Sequence, residues 1–345
     1  MDAVRLGHCG LKVSPLSLGT MMFGGPTDLD TARSIADLCL ERGVFSWDTA
    51  DMYSSGGSEE VLGALLAGRR ERVVLATKAW APMGPGPNDR GLSARHLIRA
   101  CEASLQRLGT DWIDLYYLHL PDRDTPLDET LRAAEDLVRS GKVRYLGCSN
   151  YRAWEVVQLV ETARQHGWQP IQAIQPLYNA ANRDIEVEML PMAEHYGLGV
   201  ISYSPLARGV LTGKYRWDEP PPPDSRRARG DRRFHQAEWR EASMPLAQWV
   251  VETAAELGVS AAQLATRWVI ANELVHSALI GPRTLEQARE AVDSLAIPWT
   301  EDLEAGFDRL VPPGTHTGKN WPDPHYYPVR GRRVSGHGPE QPDRL

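Results

Sequence analysis

The sequence holds 345 residues, 42% hydrophobic and 24% charged, with a net charge of −7. That length allows one large α/β barrel or two medium domains, with enough apolar content for a sizeable core. The acidic balance argues against nucleic acid as the main partner, and the densest basic cluster, Arg226 to Arg233, is short and reads as a solvated loop.

Cys9, Cys39, Cys101 and Cys148 stand far apart without a C-x-x-C pair, the pattern of buried free thiols in a reducing compartment. No metal site is expected. The first residues lack an apolar signal region, and no run approaches the roughly 20 apolar residues that span a bilayer. A cytoplasmic protein without membrane contact is expected.

Residues 4–6 and 11–13 read as a short β-hairpin. The run from Leu16 is a first strand leading into Gly24-Gly25. Residues 31–42 carry apolar positions at helical spacing and stop at Gly43. A strand over 44–48, a helix over 59–66 and a strand over 73–77 follow. Ser93 is a plausible N-cap for a helix with the stripe Leu97, Cys101, Leu105 and Leu108. The alternation continues with strand 113–118, helix 127–139, strand 143–148, helix 152–165, strand 171–175, helix 184–195 and strand 198–203. Helices 244–257 and 260–271 lead to a last strand over 277–281. Eight strand–helix units point to a closed parallel (β/α)₈ barrel with functional groups at the C-terminal strand ends. A doubly wound sheet fits less well, because no G-x-G-x-x-G follows any strand. Residues 1–315 are assigned to the barrel and 316–345 to a tail of the same domain.

Residues 82–92 and 217–243 are long Pro/Gly-rich insertions after strands three and seven, on the functional face; the second holds Pro220 to Pro223. Loops of that length act as lids or stay disordered, and a lid over the cofactor is expected for 217–243. Gly209 to Lys214 resembles a phosphate loop but is one residue short and continues with Tyr215, so a Walker A reading is rejected.

The strand ends carry a proton-transfer set. Asp48 ends one strand, with Tyr53 five residues on; Lys78 and His119 close the two that follow. Each has an ordinary reading alone: Asp48 as a turn residue, Lys78 as a solvated charge, His119 as a core histidine. Together they suit carbonyl reduction. Tyrosine, with an unperturbed pKa of about 10, is protonated at neutral pH and can donate. Lys78 would stabilise the resulting phenolate, Asp48 would hold Lys78, and His119 would orient the carbonyl oxygen. The hydride must come from a cofactor, since no side chain supplies one.

In order and spacing, Asp48-Thr49-Ala50-Asp51-Met52-Tyr53, Lys78 and His119 resemble the tetrad of the aldo-keto reductases. Gly147-Cys148-Ser149-Asn150, Gln175-Pro176-Leu177-Tyr178-Asn179, Ser202-Tyr203-Ser204-Pro205-Leu206 with Gly209 to Lys214, and Ile280 to Gln287 resemble that family's cofactor motifs, over roughly residues 3 to 313. The resemblance implies catalytic Asp48, Tyr53, Lys78 and His119. It implies a nicotinamide stacked on Tyr203, with its carboxamide held by Ser149, Asn150 and Gln175. It places a pyrophosphate along Ser204, Leu206 and Gly209. Gly281, Arg283 and Gln287 would receive the 2′-phosphate of NADP(H), where a helix N-terminus and a guanidinium both favour an anion. Ala291 stands where the family often has an Asn near the adenine.

Met22, Phe23, Trp80 and Tyr151 are expected to line the substrate mouth, with Trp321, Tyr326 and Tyr327 of the tail able to fold over it. An aromatic mouth suits a small-molecule carbonyl substrate, with a keto-sugar or related polyol preferred. Two other classes stay open: a nucleotide-sensing subunit of the same fold, as in potassium channels, and a non-redox barrel isomerase or lyase using Tyr53 and His119. The few residues before the first strand leave little room for a regulatory arm. The oligomeric state is unknown at this point.

Overall fold

A computed structural model describes residues 2–223, 225–231 and 233–318. The hairpin pairs β1 (Val4–Arg5) antiparallel with β2 (Lys12–Val13). Eight parallel strands then close a barrel in chain order. They are β3 (Leu16–Gly19), β4 (Ser46–Asp48), β5 (Val74–Ala79), β6 (Ile113–Leu118), β7 (Val143–Ser149), β8 (Ala173–Gln175), β9 (Gly199–Ser202) and β10 (Ser277–Ile280), with β10 returning to β3. The outer helices are α1 (Leu29–Glu41), α2 (Gly57–Leu66), α3 (Ala94–Leu108), α4 (Leu127–Arg139), α5 (Ala153–His166), α6 (Met189–Tyr196), α7 (Met244–Glu256), α8 (Ala261–Ala271), α9 (Leu285–Asp293) and α10 (Glu301–Leu310). This is the expected (β/α)₈ barrel.

The apolar residues divide between two layers. A large cluster fills the space between strands and helices, while Leu6, Val13, Ala76, Leu115, Tyr117, Ala173, Ile201 and Leu279 fill the barrel interior. The hairpin therefore plugs the N-terminal end with Leu6 and Val13. A side chain at Gly199 would place its Cβ 2.2 Å from Leu6 Cδ1, so the plug requires glycine there. With that end filled, only the C-terminal end can admit a ligand.

Three expectations shift. The helix expected over 184–195 divides into a turn at Asp184–Glu186 and α6. Starting α6 at Met189 puts Pro191 in the first turn, where its missing N–H costs nothing. Lys78 stands inside β5, not at its last residue. An unexpected helix, α10, closes the barrel; Thr300 caps it by accepting from the Leu303 N–H, and three acids in its first turn favour that end. Ser93 does cap α3 by accepting from His96 N–H. Cys39, Cys101 and Cys148 are buried and Cys9 half-buried, all four as free thiols.

The 217–243 insertion is built, not loose. Tyr215, Phe234, Trp239 and Trp217 form an aromatic cluster with ring centroids 4.8–5.9 Å apart, and the Arg227 guanidinium lies 4.4 Å over Trp239. Residues beyond the last helix run beside the β8 loop, with Arg183 N–H donating to Thr315 O and Thr317 N–H to Ala181 O. Trp321, Tyr326 and Tyr327 lie outside the described residues.

Candidate active site

Parallel strands bring all their C-terminal ends to one rim. Asp48 ends β4, Lys78 is next to last in β5, His119 follows β6, Ser149 ends β7 and Gln175 ends β8. The predicted Asp, Tyr, Lys and His meet there.

Lys78 is fully buried, and its ammonium donates to Asp48 Oδ1 and, at 2.7 Å, to the Thr49 carbonyl. The other Asp48 oxygen accepts from Gln175 Nε2 at 2.9 Å. A buried ion pair survives when its remaining valences are satisfied, and this one's are. Burial alone would lower the Lys78 pKa, but the Asp48 carboxylate and Tyr53 reverse it, and the ammonium holds its proton above the usual range.

Tyr53 stands half-buried at the head of a tight turn, Tyr53–Gly56, in which Ser54 and Ser55 both adopt left-handed backbone (φ 50° and 54°). Two such residues in succession cost about 1–2 kcal/mol each. The strained turn folds Tyr53 back over the rim. Lys78 Nζ lies 5.1 Å from its ring centroid, and the His119 ring meets it edge-on at 6.0 Å. Burial, then the Lys78 charge, push the His119 pKa down to about 3. His119 is therefore a neutral imidazole, with Nδ1 buried and without a partner among the described residues.

The floor is Tyr117, whose ring lies 5.9 Å below Lys78 Nζ. A Cβ at Gly147 would sit 2.5 Å from that ring, so glycine on β7 makes the floor possible.

The predicted nicotinamide residues join this group. Ser149 Oγ donates to Gln175 O, Asn150 Nδ2 to Ser149 Oγ and to His119 O, and the Tyr203 hydroxyl to Asn150 Oδ1. Gln175 links the set to Asp48.

On the opposite side, Ser204 takes left-handed backbone, followed by Ala207, Arg208 and Gly209. Leu206 begins a short turn ending at Thr212, and the Arg208 N–H donates to Ser204 Oγ. The Lys214 side chain folds over Gly209, and a Cβ there would meet its Nζ at 2.8 Å. Burial, then Arg283, Arg226 and Arg229, lower the Lys214 pKa. Burial, then Arg208, lower that of Arg226. Asp231 pairs with Arg226 at 2.9 Å and stands 3.9 Å from Arg208. Arg208 Nε is buried without an acceptor among the described residues. Past Gly281, Arg283 N–H donates to Gln287 Oε1 and Thr284 caps α9. Five cations thus converge from three segments.

Sequence reasoning missed much of this cluster. Arg226 was read as part of a solvated loop; it is instead partly buried and tied to Asp231 and to Met22 Sδ at 3.9 Å. The available signal was position: basic residues in the insertion after strand seven face the site where barrels hold phosphate.

The mouth differs in part from expectation. Met22 is nearly buried beneath Arg226. Phe23, expected to line the mouth, is fully enclosed in the outer core, because its strand ends at Gly19 and the chain turns inward. Tyr151 is also buried, its hydroxyl donating to Leu120 O at 3.3 Å. Trp80 is half-buried, with an indole N–H that meets no acceptor among the described residues.

A model of the aldo/keto reductase family matches residues 15–311. The chain belongs to that family. Among its relatives, an uncharacterized oxidoreductase, YrpG, of Bacillus subtilis (strain 168) is 39% identical across 92% of this chain and 98% of its own length. A probable voltage-gated potassium channel subunit beta of Arabidopsis thaliana is 36% identical across 86% of this chain and 92% of its own. L-glyceraldehyde 3-phosphate reductase of Escherichia coli (strain K12) is 35% identical across 84% and 86%. Among the described residues of this aldo/keto reductase, no helix is long and apolar enough to cross a membrane, and no cluster of His, Cys, Asp or Glu could hold a metal ion.

Proposed function

We propose that the protein reduces an aldehyde or ketone to the alcohol with NADPH, with Tyr53 as the proton donor. The observation carrying this reading is the buried Asp48–Lys78 ion pair set against the Tyr53 ring, with neutral His119 beside it. When bound beside Ser149, Asn150, Gln175 and Tyr203, NADPH would supply the hydride that the carbonyl carbon takes up. The Tyr53 hydroxyl gives its proton to the carbonyl oxygen, and the Lys78 ammonium stabilises the phenolate left behind. His119, unable to take a second proton at working pH, donates a hydrogen bond to the carbonyl oxygen and fixes its direction.

The residues fit the cofactor. The linked Ser149, Asn150, Gln175 and Tyr203 present amide and hydroxyl groups beside the proton donor. Arg208, Lys214, Arg226, Arg229 and Arg283 bring a surplus of positive charge to one side of the rim, which suits a polyanion. Arg283 would read the 2′-phosphate. The half-buried Trp80 offers an aromatic face to a hydroxylated substrate, which supports a keto-sugar or related polyol.

The kinship with a potassium channel subunit beta supports a second reading, a nucleotide-sensing subunit. The test is a panel of aldehydes, ketones and keto-sugars with NADPH consumption as readout, beside thermal unfolding with and without NADPH. Stabilisation with no turnover of any carbonyl would favour the sensor. Neither effect would return the site to a non-redox barrel enzyme.

A further inference from the structure

Three carboxyl groups are buried around β4, β5 and α2: Asp48 (4% exposed), Asp51 (0%) and Glu59 (0%). Two cations serve them. Lys78 is committed to Asp48 and the Thr49 carbonyl. Arg107 is committed to Glu59 Oε2 at 2.7 Å, while Glu59 Oε1 accepts from Thr77 Oγ1. Asp51 is left over. Neither of its oxygens has a side-chain hydrogen-bond partner among the described residues, and the adjacent Met52 N–H, the one donor turned toward it, lies outside good hydrogen-bond geometry; its own N–H donates to Lys78 O at 3.1 Å.

The charged and titratable groups around it are Glu59 and Arg107 from the outer helices, Lys78 from β5 and Tyr116 from β6. An unpaired carboxylate in such surroundings is far costlier than the neutral acid. Burial, then the negative charge of Glu59, accordingly push the Asp51 pKa up to about 8.

The geometry points to Asp51 as a positioning residue. It is an uncharged carboxylic acid whose ionisation adds a second negative charge behind Lys78 and holds Tyr53 in its phenol form. While Asp51 keeps its proton, Asp48 is the one carboxylate competing with Tyr53 for the ammonium, and phenolate formation gains its full effect. Once Asp51 ionises, the same ammonium is partly screened and Tyr53 becomes a weaker acid. This role rests on Tyr53 as the proton donor, but the state of Asp51 does not, so the two can fail separately.

The experiment compares wild type with Asp51→Asn, which imitates the neutral acid in shape. Thermal unfolding is measured without substrate from about pH 5 to about pH 10, together with NADPH-dependent reduction of one aldehyde and oxidation of its alcohol. An ordinary aspartate ionises near about 3.9. Between there and about 8, folded wild type holds a proton that the unfolded chain has lost. Wild type should therefore lose stability relative to Asp51→Asn as pH rises through that window, with a constant difference above it. A difference that does not change with pH would overturn the neutral acid, whatever the reaction. In the variant, the alkaline fall of reduction and the rise of oxidation should both move about one pH unit lower, a tenfold change in proton affinity. Superimposable pH profiles would overturn the positioning role. Should the variant not fold, wild type alone decides. Its infrared spectrum should lose a carboxylic-acid C=O band between about pH 6 and about pH 10, and the lack of that band at the lower pH would refute the assignment.

Discussion

The two sides of the rim are built on opposite electrostatic plans. On the proton-transfer side, the Lys78 charge is matched by Asp48, Asp48 is completed by Gln175, and the Thr49 carbonyl takes a further ammonium proton. Nothing needs to bind for the Lys78 charge to be balanced. On the side proposed for the phosphates, Arg208, Lys214, Arg226, Arg229 and Arg283 converge, Asp231 pairs with Arg226, and burial, then the charges of Arg283, Arg226 and Arg229, lower the affinity of Lys214 for its proton. Among the described residues, five cations there stand against the single carboxylate of Asp231 that pairs with Arg226. Preorganised, desolvated dipoles favour chemistry, while uncompensated surface charge favours capture and selectivity. Mutations on the first side should change turnover and be indifferent to salt. Those on the second should change binding and fade with salt.

The largest effect belongs to the first side. Tyr53→Phe should cut carbonyl reduction by about 10²- to 10⁴-fold with NADPH binding intact. Lys78→Met should be comparably damaging, since it also strands the buried Asp48 carboxylate. A Tyr53→Phe rate above about a tenth of wild type would show that another group delivers the proton.

This contrast also explains what was legible in the sequence. Asp48, Lys78 and His119 lie at or within one residue of the C-terminal ends of their strands, and such an end is a local pattern: an apolar run halting at a polar residue. The same locality gave the eight units and the Ser93 cap. The phosphate side is assembled from Arg208, Lys214, Arg226 and Arg283, which are brought together only by barrel closure and by an aromatic cluster inside the 217–243 insertion. No local pattern records that. Phe23 was misplaced for a related reason: its strand ends at Gly19, earlier than its apolar run, so a residue counted at the mouth turns into the core. The orphan Asp51 lay in plain view within the Asp48–Tyr53 motif, but its lack of a side-chain partner is a three-dimensional fact.

On the phosphate side, Arg283→Ala should weaken NADPH binding by roughly 10- to 150-fold. That corresponds to a charge-assisted hydrogen bond of about 1.5–3 kcal/mol at about 1.4 kcal/mol per decade. NADH binding should hardly change, and the penalty should shrink at high salt. Equal losses for both cofactors would mean that Arg283 only braces the start of α9, to which its N–H is already tied through Gln287. Hydrogen exchange across residues 217–243 should slow when NADPH binds, because this insertion carries Arg226 and Arg229 of the cationic cluster. Exchange indifferent to NADPH would separate that insertion from the cofactor.

A smaller effect tests the floor that both sides share. Gly147→Ala drives a methyl against the Tyr117 ring, where an ideal Cβ would lie 2.5 Å away. Overpacking of this kind costs about 1–3 kcal/mol. Stability should fall by that order, while the two cofactors remain equally well distinguished. A change in cofactor preference would show that the two sides communicate through the barrel floor.

The smallest kinetic effect is an expected absence. Burial and the Lys78 charge hold the His119 pKa near about 3, against about 6.5 for an ordinary histidine. Between those values the folded protein carries a neutral His119 while the unfolded chain binds the extra proton. With the unfolded state richer in protons, stability rises with pH across that window and is lost as pH falls through it. Thermal unfolding of wild type and His119→Asn should thus diverge, wild type losing stability faster on acidification from about pH 6.5. The rate of carbonyl reduction should nevertheless show no acid limb owed to His119, since the folded imidazole does not charge there. The variant should react more slowly by a factor that is the same at every pH in that range. An acid limb in wild type that disappears in His119→Asn would mean that the imidazole takes up a proton during turnover. In that case His119, not Tyr53, would be the group exchanging protons with solvent, and the division between a self-neutralised side and a ligand-neutralised side would have to be redrawn.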